Sequence, residues 1–174
     1  SQSGHKYPLL ENINFNLKRG ERLGIVGESG CGKTMLALAL MGLLPEQISA
    51  NGNIDFLQPQ ETHLKNNLQI NKTLDSNLLK LSENELCQIR GHRIAMSFQE
   101  PMTALNPVQS IGIQVAESLK LHFHMSKHTS HIEASKILDR VGLPKNRFSR
   151  NLFPHQLSGG QRQRVVIAIA IACK

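Results

Sequence analysis

The chain has 174 residues, of which 40% are hydrophobic and 19% charged, so it is long enough and apolar enough to bury a core and is not a disordered tail. Only 4% are aromatic and none is Trp, so that core must be aliphatic. The net charge is +7, but no run of five basic residues occurs, which argues for charge spread over solvated faces rather than a nucleic-acid arm. Three widely spaced cysteines, Cys31, Cys87 and Cys173, do not form a disulfide framework and point to a reducing compartment. No signal peptide opens the chain and no run of 18 apolar residues crosses it, so a soluble protein is expected.

In chain order, Ile13, Phe15 and Leu17 alternate with Asn14, Asn16 and Lys18, which predicts a strand with one buried face. Lys18-Arg19-Gly20-Glu21 turns it into a second strand, Arg22-Leu23-Gly24-Ile25-Val26. Next comes Gly27-Glu28-Ser29-Gly30-Cys31-Gly32-Lys33-Thr34, the pattern G-x-x-x-x-G-K-[ST] of a phosphate-binding P-loop. Glycines let backbone N–H groups crowd a phosphate, and the loop opens a helix whose first N–H groups are unpaired. Lys33 is placed to reach the β- and γ-phosphates, and the Thr34 hydroxyl to ligate Mg²⁺. The helix that follows, 35–44, is apolar on all sides and should be sandwiched inside the domain.

Asn51-Gly52 is a turn before a third strand, 53–57. Residues 58–77 are rich in Asn, Gln, Lys and Thr and read as a surface insertion. Ser82-x-x-Glu85 is a capping box that starts a short helix, which Gly91 can end. A strand is expected over 93–98, with Gln99 where it stops and a loop with two prolines over 100–107. Helices are expected over 109–123 and 127–141, the second opened by Ser126 and closed by Gly142 and Pro144. His122, His124, His128 and His131 lie within ten residues, and we read them as surface groups rather than metal ligands. Leu157-Ser158-Gly159-Gly160-Gln161 precedes a helix over 162–173. Its two glycines expose N–H groups beside a small hydroxyl, which makes a second anion site, and Arg162 and Arg164 add positive charge.

That five-residue segment resembles the signature motif of ATP-binding cassette (ABC) ATPases, and the P-loop agrees with it. Phe98-Gln99-Glu100-Pro101-Met102-Thr103-Ala104-Leu105-Asn106-Pro107 and Pro154-His155-Gln156-Leu157-Ser158-Gly159-Gly160-Gln161-Arg162-Gln163-Arg164 resemble the oligopeptide, dipeptide and nickel importer branch. The resemblance implies an α/β fold, a P-loop NTPase of the ABC nucleotide-binding type with an N-terminal β core and a helical subdomain. It implies one partial ATP-binding domain over 1–174: a core with the P-loop over about 1–98, the Q-loop and helical subdomain over about 99–160, and the signature motif with its helix over 157–174. ATP with Mg²⁺ would be held by Gly27, Glu28, Ser29, Gly30, Cys31, Gly32, Lys33 and Thr34. Gln99 would touch Mg²⁺ and the attacking water, and Lys33 and Gln99 would serve catalysis. Ser158, Gly159, Gly160 and Gln161 would close on the ATP of a second ABC domain in a head-to-tail dimer. The loop 100–107 would meet a membrane permease, which places the chain on the cytoplasmic face of the membrane. No nucleic-acid partner is expected.

The sequence also departs from the family. The family's apolar strand ending in Asp-Glu and its switch histidine follow the signature helix, and Lys174 comes before both. The adenine-stacking aromatic of the family stands further upstream of the P-loop than Tyr7. Two other readings therefore stay open beside an importer ATPase: a nucleotide-binding module that does not hydrolyse, and a non-transport ABC protein acting on nucleic acid.

Overall fold

The computed structural model describes residues 7–56, 77–98, 100 and 104–174. The chain divides into two compact units, Ser1–Leu81 and Ser82–Lys174.

In the first unit the turn at Lys18 forms as expected: the Lys18 N–H donates to Glu21 Oε2 at 2.6 Å and the Glu21 N–H to the Lys18 carbonyl at 3.0 Å. The segments on either side of it carry no β-ladder. Among the described residues the only bridges are isolated ones, Asp55 with Asn77 and Arg90 with Ile94. The strands expected over 13–17, 22–26, 53–57 and 93–98 are thus not formed as paired strands; residue 57 lies outside the described residues. Alternation marks the side chains suited to burial, but a strand persists only when a neighbour takes its N–H and C=O groups. Here Leu23 and Ile25 are each 48% exposed and Val26 is 97% exposed.

Helix α1 spans Lys33–Leu40. It ends earlier than its apolar run because Gly42, at φ 63°, closes a Schellman motif. The Gly42 N–H donates to the Ala39 carbonyl at 3.1 Å and the Leu43 N–H to the Leu38 carbonyl at 2.9 Å. No residue of α1 is buried; only its cap, Met41, is. The expected sandwiching is not seen, because no ladder among the described residues offers it a sheet to lie on.

Most of the expected polar insertion, 58–76, lies outside the described residues, but its last residue does not behave as surface. Asn77 is buried. Its Oδ1 accepts from the Ile54 N–H at 3.0 Å and the Leu79 N–H at 3.1 Å, and its amide donates to the Gly52 carbonyl at 3.1 Å. It ties the Asn51-Gly52 turn to the 3₁₀ turn Leu78–Lys80.

The second unit is helical. Helix α2, Glu83–Ile89, starts at Ser82 with both halves of the capping box in place. Helix α3 spans Ile111–Phe123, α4 Lys127–Arg140 and α5 Gly159–Ile171. Ile111, Val115, Leu119, Leu138, Leu143 and Val165 lead one aliphatic core shared by α3, α4 and α5. Gly142 closes α4 with the same Schellman pattern and sends the fully buried Leu143 into that core.

The start of α3 is set by partners outside the helix. Ile111 and Gly112 donate their N–H groups to the Leu152 and Arg150 carbonyls at 2.9 and 3.0 Å. A Cβ at Gly112 would lie 2.9 Å from the Arg150 carbonyl oxygen, so only glycine allows this approach. The Arg150 guanidinium is satisfied in turn by the carbonyls of Ser135 and Leu143, the Ser135 hydroxyl and the Asp139 carboxylate.

Candidate nucleotide phosphate site

The glycine-rich loop ahead of α1 is held by its own lysine. Lys33 Nζ donates to the Gly27 carbonyl at 2.7 Å and the Glu28 carbonyl at 2.6 Å, with Cys31 Sγ at 3.4 Å. Two of the three ammonium donors thus fold the loop into a ring, and the positive charge stays inside it. Within the ring the Cys31 N–H reaches back to the Glu28 carbonyl at 3.4 Å. Gly30 and Gly32 take φ of 83° and 93°, the left-handed region glycine enters without strain, and the N–H groups of both have no acceptor among the described residues.

Those N–H groups define what the loop can bind. The N–H groups of Gly30, Gly32, Lys33, Thr34 and Met35 have no acceptor among the described residues. Gly32 is the N-cap of α1 and supplies no side chain to cap it. The positive end of α1, a charged ammonium and a row of free donors therefore converge. A Cβ at Gly27 would stand 2.6 Å from Cys31 Sγ, so added bulk there intrudes on the ring. The arrangement fits a polyphosphate: several anionic oxygens can each take an N–H, and Lys33 supplies countercharge. Thr34 is exposed at the second position of α1, where its hydroxyl is open to a cation carried by such a ligand. Sequence reasoning missed Leu10, whose side chain packs where a Cβ of Gly32 would be, 2.9 Å away. No local pattern links residues 22 positions apart.

The second glycine-rich helix start lies in the other unit. Ser158 is the N-cap of α5: its Oγ accepts the Gln161 N–H at 3.4 Å, and its N–H donates to Gln161 Oε1 at 2.8 Å. This box starts the helix at Gly159, three residues before the expected 162. The N–H groups of Gly159 and Gly160 have no acceptor among the described residues, and both glycines face open space. Leu157 is buried in the core directly behind them. Gln161 is therefore a capping group, with its side chain committed to Ser158.

The two arginines that follow, expected to add positive charge, are also tied to the backbone. Arg162 Nε donates to the Pro154 carbonyl at 2.7 Å, and Arg164 Nη1 to the Gly142 carbonyl at 3.0 Å. They brace the 3₁₀ turn Pro154–Gln156 and the end of α4. Gln99 lies outside the described residues, as do 101–103 of the loop 100–107. Tyr7 is exposed. No group of three His, Cys, Asp or Glu that could hold a metal occurs among the described residues, so the four histidines near α3 and α4 do not converge. Instead His122 stacks on His92 with centroids 5.8 Å apart.

Comparison with known proteins agrees with this geometry. A family profile described as ABC transporter matches residues 10–174. The glutathione import ATP-binding protein GsiA of Escherichia coli (strain K12) is 43% identical over 99% of this chain and 26% of its own length. The protein of the same name from Salmonella choleraesuis (strain SC-B67) is 43% identical over 98% of this chain and 26% of its length. The chain thus spans about a quarter of the length of these relatives. Among solved structures, the dimeric MJ0796 bacterial ABC transporter cassette superposes with a TM-score of 0.71 at 30% identity, over 95% of this chain and 62% of that one. A dimeric post-hydrolysis state of the same cassette with ADP and Pi matches equally well. The backbone therefore follows the α/β P-loop NTPase course of an ABC cassette, although the β segments carry no ladder here.

Proposed function

Because this chain belongs to the ABC transporter family, we propose that it is the ATP-binding part of an importer that couples ATP binding and hydrolysis to uptake of peptides or related small solutes. The observation that carries the reading is the ring closed by Lys33, with its row of unpaired N–H groups at the start of α1.

In this reading Gly27, Glu28, Ser29, Gly30, Cys31 and Gly32 wrap the ATP phosphates with backbone donors. Lys33 balances the charge of the β- and γ-phosphates, and Thr34 and Gln99 hold Mg²⁺. Mg²⁺, when bound, supplies charge neutralisation at the transferring phosphoryl group. Gln99 orients the attacking water. Ser158, Gly159 and Gly160 present a hydroxyl and two N–H groups to the ATP held by a second cassette, so two cassettes pair head to tail. The dimeric MJ0796 structures support that pairing. The loop 100–107 meets a membrane permease, and the chain works at the cytoplasmic face of the membrane. No helix among the described residues is long and apolar enough to cross one. We also propose that the single ATP-binding domain is organised as a P-loop core over about 1–98, the Q-loop and helical subdomain over about 99–160, and the signature with its helix over 157–174.

Glutathione is a tripeptide and is the first solute to try, since the relatives above carry it in their names. The test is uptake of labelled glutathione and of labelled dipeptides by cells carrying the full protein. Import should be lost with Lys33→Ala. Import that continues unchanged in the variant would overturn the reading.

A further inference from the structure

The end of the loop 100–107 is tied to α3 by one buried amide. Gln114, 7% exposed, accepts the Asn106 N–H on Oε1 at 3.0 Å. Its Nε2 donates to the Asn106 carbonyl at 3.0 Å and to the Gln109 carbonyl at 2.9 Å. The paired bonds to Asn106 imitate a rung of a β-ladder, with a side-chain amide replacing the neighbouring strand. Asn106 adds an internal turn, its Oδ1 accepting from the Val108 N–H at 3.1 Å. Leu105, the residue before, is buried in the helical core. Residues 105–109 are thereby fixed from both sides, while Asn106, Pro107 and Val108 stay exposed. Gln114 also lines an open groove of about 370 Å³ with Ala104, Asn106, Glu117 and Leu121.

We propose that Gln114 is a positioning residue for coupling: it holds the end of the 100–107 loop in the shape that the permease reads, without touching nucleotide. The proposal rests on the reading that this loop meets the permease. An aliphatic residue of the same length would fill the same space in α3 but leave the N–H of Asn106 and two carbonyls without this partner. Gln114 is distinguished from an ordinary core polar group by where its bonds go. Two end on the backbone of Asn106 in the loop and the third on the Gln109 carbonyl just beyond it, and none goes to α4 or α5.

The experiment uses the assembled transporter in membrane vesicles, with a benzoylphenylalanine photo-crosslinker in place of Val108. Crosslinking to the permease, import, ATP hydrolysis and ATP affinity are measured with Gln114 and with Gln114→Met. Removing three partly buried hydrogen bonds should lower crosslinking and import by about tenfold, while ATP affinity stays within about twofold. The amount of solute moved per ATP hydrolysed should fall, which a merely stabilising residue would not cause. Should Gln114→Met fold poorly by its melting curve, Asn106→Ala loosens the same loop from its exposed side and should give the same split. Crosslinking that is strong and equal in both backgrounds, with coupling intact, overturns the proposal alone. No crosslink even with Gln114 present overturns the docking reading, and the proposal with it.

Discussion

Behind Ser158-Gly159-Gly160 stands a packed aliphatic core; behind Gly30-Cys31-Gly32 stands very little. Leu157 and Val165 anchor the first segment in packed side chains, and its helix is started by a complete capping box. The second is shaped by two hydrogen bonds from one ammonium, on a helix with no buried residue and no side-chain cap. Both segments offer free N–H groups to an anion. One is preorganised by packing, so its geometry is stabilised whether or not a ligand is bound. The other is preorganised by charge, so an anion that engages Lys33 also strengthens the loop. Ligand binding should therefore stiffen the first unit far more than the second.

The largest effect expected from this contrast is in the core. Leu138→Ala, at a site with no exposure, should destabilise the helical unit by about 2–5 kcal/mol. Leu23→Ala, at a half-exposed site, should change stability by only about 0.5 kcal/mol. Chemical denaturation of both variants checks the pair, and similar losses would break the comparison.

Next in size is the lysine. Lys33→Ala removes charge-assisted bonds to phosphate together with the two bonds that close the ring. MgATP affinity should fall by about a hundredfold or more, as measured by titration calorimetry. A change below about threefold would mean that the ring is not the phosphate site.

Ser158→Ala sharpens the other half. It takes away the acceptor of the Gln161 N–H and should cost about 1 kcal/mol in the helical unit. It should leave MgATP binding by a single chain unchanged, because in the proposed head-to-tail pairing its hydroxyl serves a partner's nucleotide. Loss of single-chain affinity in calorimetry would contradict that assignment.

The smallest effect is in the thiols. Burial raises the pKa of Cys173, an effect that the nearby Lys174 charge opposes only in part. The thiolate is the reactive form, so a raised pKa means less of it at a given pH. Cys31 and Cys87 are exposed and should alkylate first, with Cys173 following as pH rises. MgATP should protect Cys31 and leave Cys87 unchanged. Mass-spectrometric mapping reads the order, and fast labelling of Cys173 at neutral pH would show that its surroundings open.

What could be read from the sequence follows the same division. The bounds of α2 and α4 were legible because capping residues and glycine stops are local: Ser82 with Glu85, Ser126, and Gly142 each act within a few residues. The P-loop and signature were legible for the same reason. The strands were not, because Ile13, Phe15, Leu23 and Ile25 state only a wish for burial, and pairing depends on residues far away in the chain. Three sets of contacts carried no sequence signal. These are Leu10 on Gly32, the Asn77 hub, and the return of Arg162 and Arg164 to backbone carbonyls. In each a side chain meets backbone at a separation no periodic pattern spans.

The central claim is that the loop ahead of α1 holds ATP by its backbone donors. The most direct measurement is residue-resolved amide hydrogen exchange with and without MgATP. The account predicts strong slowing at Gly30, Gly32, Lys33, Thr34 and Met35, whose N–H groups have no acceptor among the described residues, and little change in the core of α3 and α4. MgATP binding that leaves those five amides exchanging as before would contradict it.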